Sequence, residues 1–342
     1  MKKDIKLLAI DLAKEVFQVQ GVDEKGRVVL KKKLTRQELP VFTANLPACR
    51  IVMESCGGSH YWARCFKSQG HQADLIAAQH VSPFRRSRQK NDQHDAAAIA
   101  EAAQRPSMRY VPAKSLTAQD MQSLHRVRQQ LVKTRTSLIN QCRGLAMEYG
   151  EVMPKKRASF NQHMPRILEL ESELTFVARE ALSSLKNLIE DLDRRIRRLE
   201  QQISEIGNNT RDYARLLTVP GVGPLSASLL MAAVGDVSVF KNGRHMAAWL
   251  GLVPRQHSSG GQAKLGGITK AGDQDLRVML IHGARALIQA TVRKQGSDYY
   301  SQWILKLLKT KGWNVTAVAV ANRNCRVMWH LLKYQEEYRR TA

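Results

Sequence analysis

The sequence is short of acid. Against 54 lysines and arginines stand 30 aspartates and glutamates, giving a formal net charge of +24 and a sequence pI of about 10.1. Basic residues run along the whole chain, so the excess points to a polyanionic partner rather than to solubility alone. Cysteine is sparse and badly spaced for bonding. Cys49, Cys56, Cys65, Cys142 and Cys325 are odd in number and never fall as C-x-x-C, which argues against a disulfide framework or a zinc site and for a reducing compartment. No stretch approaches the roughly 18 uninterrupted apolar residues of a spanning helix. The opening "MKKDIKLLAIDLAKEVF" carries Asp11 inside a short apolar run with no small-residue cleavage site, so no signal peptide is expected. Repeats and low-complexity tracts are missing. Zinc-finger spacing, a basic zipper and a clear helix-turn-helix, the usual readers of a long DNA site, are missing too.

What is present suffices for two or three domains in 342 residues. The first third alternates strand and helix signals. "KLLAIDLA", "EVFQVQGVD" and "RVVLKKKLT", with "DEKG" as a turn, read as an antiparallel meander. The helix "RQELPVFTANL", the strand "RIVMES", the helix "SHYWARCFKSQG", the strand "QADLIA" and a helix opening at Asp92 follow. The pattern predicts a mixed sheet with helices packed on it. From "SLTAQDMQSLHRVRQQL" onward the reading is almost entirely helical, interrupted by "EVMPKKRASFNQHMP". Leu182, Leu185, Ile189, Leu192, Ile196, Leu199, Ile203 and Ile206 then recur at alternate spacings of three and four. Ile at one seam position and mostly Leu at the other favours a two-stranded parallel coiled coil; a helix packed within its own chain is the alternative.

Further on, Pro220, Gly221, Val222 and Gly223 form a tight turn between two helices. It reads as a helix-hairpin-helix contact, glycines giving backbone access to a phosphate and the second helix offering free N–H groups, or as a plain turn between core helices. "AAWLGLVPRQHSSGGQAKLGGITKAGDQDLR" is a polar, Gly-rich loop with basic residues, followed by two or three closing helices.

The acids that remain are placed with purpose. In "RQKNDQHDAAAIAEAAQ", Asp92 and Asp95 are three apart at a helix start and share one face. At about 4 Å two like charges repel by about 4 kcal/mol at an effective dielectric near 20, so something positive belongs between them: solvent cations, the arginines of "FRRSRQK", or a divalent metal. A metal demands further carboxylates. Asp11 lies in the first strand and Glu54 ends the fourth; if those strands are neighbours and the Asp92 helix crosses their edge, four acids share one pocket. Two Mg²⁺ ions would neutralise them and clamp a phosphodiester, the arrangement of an RNase H-like nuclease.

These motifs, "AIDLAKE", "VMESCGG", "KNDQHDAAAIA", "VPGVGPLSA" and "GLVPRQHSSGGQAKLGGITKAG", resemble those of the DEDD transposases of insertion-sequence family 110, with branch 1111 the nearer relative. The resemblance covers nearly the whole chain. It implies a RuvC-like α/β nuclease domain with a mixed sheet over 1–150, a linker and coiled coil over 151–210, and a mainly α-helical transposase domain over 211–342. It further implies a recombinase acting on donor and target DNA, guided by a structured RNA from the element's own non-coding end, with Mg²⁺ as cofactor. The family's metal-binding acids fall on Asp11, Glu54, Asp92 and Asp95, and its nucleophilic serine on Ser259. "HSSGG" also offers Ser258; Ser259 directly precedes Gly260 and Gly261, which let a DNA backbone come close. Arg255, His257, Lys264 and Lys270 are near enough in sequence to receive charge on the phosphorane oxygens. The implied assembly is a homo-oligomer, a dimer and then a tetramer on DNA, with each active site shared between protomers. The implied location is the bacterial cytoplasm, at the nucleoid and away from membranes. An invertase or junction-resolving nuclease without a guide, and a non-catalytic nucleic-acid scaffold, are the rival expectations.

Overall fold

The structure, a computed structural model, describes residues 4–85, 92–169, 172–259 and 262–339. Two units emerge, 1–116 and 117–342. In the first, β1 (Leu7–Asp11), β2 (Val16–Val22) and β3 (Val28–Thr35) lead to α1 (Glu38–Ala44), β4 (Arg50–Glu54), α2 (Ser59–Ser68), β5 (Gln72–Ile76), the short α3 (Ala78–Val81), α4 (Asp92–Ala103) and β6 (Tyr110–Val111). The sheet order is β3-β2-β1-β4-β5-β6. β1, β2 and β3 pair antiparallel, β1 pairs parallel with β4, and β4 with β5. The expected meander, and the neighbouring first and fourth strands, are therefore present.

Strand alternation divides this sheet into two faces. Leu8, Ile10, Ile51 and Met53 enter a core with Trp62 and Phe66 of α2, while Leu7, Ala9 and Val52 enter a second core with Ala98, Ile99 and Ala102 of α4. Side chains repeat every second residue along a strand. Asp11 thus continues the row of Leu7 and Ala9, and Glu54 the row of Val52, both on the face that carries α4.

The second unit opens with α5 (Leu116–Met147), α6 (Arg157–Ile167) and α7 (Phe176–Asn208). The break expected between long helices is itself largely helical, with Pro165 inside α6 near its C-terminal end. α7 is the predicted heptad helix, started by Thr175, whose hydroxyl accepts the Ala178 N–H at 3.2 Å. Its seam is covered from within the chain. Leu182 and Ile189 join Ile139, Cys142 and Ala146 of α5 and Phe160 of α6 in one core, and Ile203 meets Met121 of α5 and Ala232. Arg128 pairs with Glu200 and Arg135 with Asp193, so α5 runs antiparallel to α7. The parallel two-stranded coiled coil between protomers is corrected accordingly: the apolar stripe is real, but α5 and its neighbours occupy it.

After α7 come α8 (Arg211–Leu217), α9 (Pro224–Val234), α10 (Gly243–Trp249), β7 (Pro254–Ser259), β8 (Gln262–Ile268), α11 (Gln274–Lys294) and α12 (Tyr299–Tyr334), which kinks at Gly312. They enclose a single large core. The α8–α9 turn differs from the phosphate-contacting reading. Gly221, at φ +82°, packs against α11, where a Cβ would meet the Gly283 carbonyl oxygen at 3.0 Å and Leu287 at 3.2 Å, and Asn324 donates to the Pro220 carbonyl at 2.8 Å. Its glycine freedom serves protein packing. The stretch 254–268, expected as loop, is an antiparallel two-stranded ribbon.

Candidate functional site

Parallel pairing sets the acids of the first unit. Ile10 lies opposite Met53, so Asp11 and Glu54 end adjacent strands at the same sheet edge and on the same face. α4 packs its alanines on that face and brings Asp95 to it. Arg85 ties the group together: its Nη2 donates to Glu54 Oε2 at 2.9 Å and its Nε lies 2.9 Å from Asp95 Oδ1. Cys56 stands beside them, its thiol raised by partial desolvation first and then by the carboxylates of Glu54 and Asp11. Glu54 and Asp95 thus share one guanidinium, and Asp11 ends the strand beside Glu54. The Asp92 side chain lies outside the described residues.

Positive charge between Glu54 and Asp95 comes in this structure from Arg85, one of the "FRRSRQK" arginines weighed from the sequence. The donor set fits a hard divalent cation, because carboxylate oxygens are what Mg²⁺ selects and a guanidinium already occupies the corresponding electrostatic role. Among the described residues, no three His, Cys, Asp or Glu side chains gather around one metal position.

The serine expected from the sequence lies in the other unit, on the β7–β8 ribbon. His257 lies opposite Lys264, Ser258 opposite Ala263, and Ser259 opposite Gln262; Gly260 and Gly261 lie outside the described residues. By strand alternation positions 257 and 259 share one face, and positions 256 and 258 the other. Ser258 is engaged, accepting from Gln256 Nε2 at 2.7 Å; the Ser259 side chain lies outside the described residues. Arg255, His257 and Lys264 are exposed along the ribbon and Lys270 at its root.

That root is rigid for reasons the sequence reading did not identify. A Cβ on Gly251 would come within 2.2 Å of the Ala271 nitrogen, and one on Gly272 within 2.2 Å of the Trp249 carbonyl oxygen. Both glycines have positive φ, so the backbones leading into and out of the ribbon are pressed together as only glycine permits. Buried Arg277 crosses beneath, donating to the carbonyls of Leu250 at 3.1 Å and Ala271 at 2.6 Å. "LG" at 250–251 and "AG" at 271–272 were the available signal.

Comparison with known proteins covers both stretches of the chain. The family described as "Transposase", DEDD_Tnp_IS110, matches residues 8–150, and the family described as "Transposase IS116/IS110/IS902 family" matches residues 213–301. The chain is 47% identical to a Pseudomonas aeruginosa protein named "Probable family 20 transposase", over 97% of this chain and 98% of that one. It is 43% identical to the transposase for insertion sequence element IS1111A of Coxiella burnetii, over 98% of this chain and 92% of that one. A shorter similarity, 30% over 37% of this chain and 39% of the other, joins it to the pilin gene-inverting protein of Moraxella bovis. Among the described residues no helix is long and apolar enough to cross a membrane. Acids gathered at one sheet edge, a serine ribbon on a fixed root and full-length likeness to insertion-sequence proteins place this chain in the IS110 family of DEDD transposases, on its IS1111 branch, as an enzyme that cuts and rejoins DNA.

Proposed function

We propose that the chain is an RNA-guided DNA recombinase that cuts by transesterification at Ser259, with a RuvC-like first unit. The observation that carries this reading is the parallel β1–β4 pairing, which sets Asp11 and Glu54 side by side and within reach of Asp95 through Arg85. A sheet ordered 3-2-1-4-5, with carboxylates at the edge between its first and fourth strands, is the arrangement expected of an RNase H-like nuclease.

In the reaction, the Ser259 oxygen forms a bond to phosphorus as a deoxyribose oxygen leaves, and the serine proton ends on that leaving oxygen by way of solvent. Bond energy is held in the phosphoseryl link for rejoining. Lys264 and His257, paired across the ribbon, neutralise the phosphorane oxygens on the face that alternation assigns to position 259. Asp11, Glu54, Asp92 and Asp95 would hold Mg²⁺, whose contribution is Lewis-acid stabilisation of the reacting oxygens. Basic residues hold DNA and a guide RNA through phosphates, while base pairing reads sequence.

The test is a covalent adduct trapped under denaturing conditions. Ser259→Ala should abolish it and Ser258→Ala should leave it largely intact; a wild-type chain that forms none refutes the serine mechanism. Similarity to a gene-inverting protein supports a second reading, site-specific inversion without a guide. Recombination unchanged by RNase treatment during assembly would favour it.

A further inference from the structure

Beside the root of the serine ribbon lies a groove of about 1610 Å³, bounded by Pro254 and Gly266–Ile268 of the ribbon, the start of α10, and α12. Its walls carry Arg244, Arg326 and Arg339, all exposed. Among the described residues none of these three has a carboxylate within ion-pair distance. Arg323 also lines the groove but is engaged, lying 4.4 Å over the Tyr300 ring and 5.3 Å over Trp303. Val315, Val318 and Ala319 form an apolar floor on α12. The chain's own tail reaches in: Glu336 and Glu337 line the groove, Glu336 lies 3.5 Å from His330 Nε2, and Tyr338 packs on the core.

A cleft walled by unpaired guanidinium groups and floored by small apolar side chains suits a sugar-phosphate strand, phosphates to arginine and sugar faces to valine. Glu336 and Glu337 place negative charge of the same chain at its edge. Its position relative to Ser259 follows from strand geometry. Five residue steps along β7 at about 3.4 Å make about 17 Å, or about five nucleotides of a B-form strand.

We propose that this groove seats the backbone of the DNA being cut, about five nucleotides from the bond that Ser259 attacks, and that the Glu336–Glu337 tail holds the seat until DNA displaces it. The inference rests on the serine reading for its distance, and on the groove alone for its ligand.

The experiment uses the full chain carrying Ser259→Ala, so that adduct chemistry does not enter. Anisotropy of a fluorescein-labelled 30-base-pair DNA duplex of random sequence is measured across a salt series. Arg244→Gln and Arg326→Gln should each lower the slope of log affinity against log salt by about 0.9, one phosphate contact, with an unchanged melting temperature. Glu336→Gln with Glu337→Gln should tighten DNA binding several-fold. Lys25→Gln, an exposed cation in the first unit, is the charge-matched control and should leave the slope unchanged. Slopes untouched in both arginine variants overturn the proposal, as does an equal fall in the control. A fall seen with a duplex RNA of the same length but not with DNA overturns it as well. Failure of the serine reading registers elsewhere, as absence of adduct from the wild-type chain.

Discussion

Replacing Ile189 with alanine separates the two possible uses of the α7 heptad. Ile189 is 1% exposed and shares a core with Ile139 of α5, Phe160 of α6 and Leu182. Truncation removes three carbons, about 2.4 kcal/mol of transfer free energy at about 0.8 per methylene. The cavity left between packed helices adds to this, so a loss of about 3–4 kcal/mol is expected, inside the ~2–5 range of such truncations. In a unit of this size each kcal/mol moves the midpoint by about 2–4 °C, giving a fall of roughly 6–16 °C in the calorimetric transition. Leu188→Ala, one residue away but 47% exposed, should stay within about 0.5 kcal/mol of wild type. Light scattering on folded protein should give the same oligomer for all three chains. An Ile189→Ala protein that melts normally but dissociates would refute intrachain packing and return the seam to a protomer interface.

Removing Arg85 should expose its electrostatic role: Arg85→Ala leaves Glu54 and Asp95 facing each other, so its first-unit transition in EDTA should fall relative to wild type and recover on adding Mg²⁺. A variant insensitive to both chelator and Mg²⁺ would remove these acids from a common charge site. Gly283→Ala should cost more than 2 kcal/mol, estimated as about the upper part of the usual mutational range, because its Cβ would lie 2.0 Å from the Gly221 carbonyl oxygen. Gly144→Ala on α5, with nothing within 4 Å, should stabilise by up to about 1 kcal/mol through helix propensity; equal effects in urea titrations would refute the close-approach argument. His125, buried with its Nε2 2.9 Å from the Ser228 hydroxyl, has its pKa lowered to about 4 by burial first and Arg128 second. The folded state then binds this proton less readily than the unfolded chain, so the contribution is complete above about pH 6.5 and is lost as pH falls toward 4, roughly 3 kcal/mol in all. His125→Gln should flatten that part of the stability profile, and a profile with the wild-type slope would show that other groups produce it.

How much of this was readable in advance depends on whether a signal is local. In β1 the run "LLAID" is apolar until Asp11, and in β4 the apolar "IVM" ends at Glu54; an acid closing a buried strand is a local anomaly, and alternation alone gives its face. The heptad of α7 was equally plain, but periodicity states only that one face is apolar, not which helix covers it. α5 hides its complementary face because its buried positions, among them Met121, His125, Ile139, Cys142 and Ala146, are small, polar or widely spaced. Gly221 was visible as a strained turn; that its neighbour is Gly283 rather than a phosphate depends on contact across 62 positions of chain, although a lone glycine inside the helical "LIHGARAL" hints at close approach. The ribbon at 254–268 escaped because its exposed residues show no hydrophobic alternation, leaving only the Gly-Gly tip as a hairpin signal.

Arg85 joins the two readings of D-x-x-D that the sequence left apart. An arginine partner and a metal site look like alternatives when each is asked to explain why Asp95 tolerates its neighbours. The geometry shows why they are compatible: one guanidinium bridges two carboxylates, so that pair is still one positive charge short of neutrality. Arg85 is also 38% exposed, which weakens its hold through solvent screening and lets the side chain turn outward at small cost. A divalent cation supplies the full charge in a smaller volume, and on the proposed reading an arginine released there would find phosphate as its next partner. On the proposed reading, the acids of the first unit would exchange the chain's own cation for a stronger one.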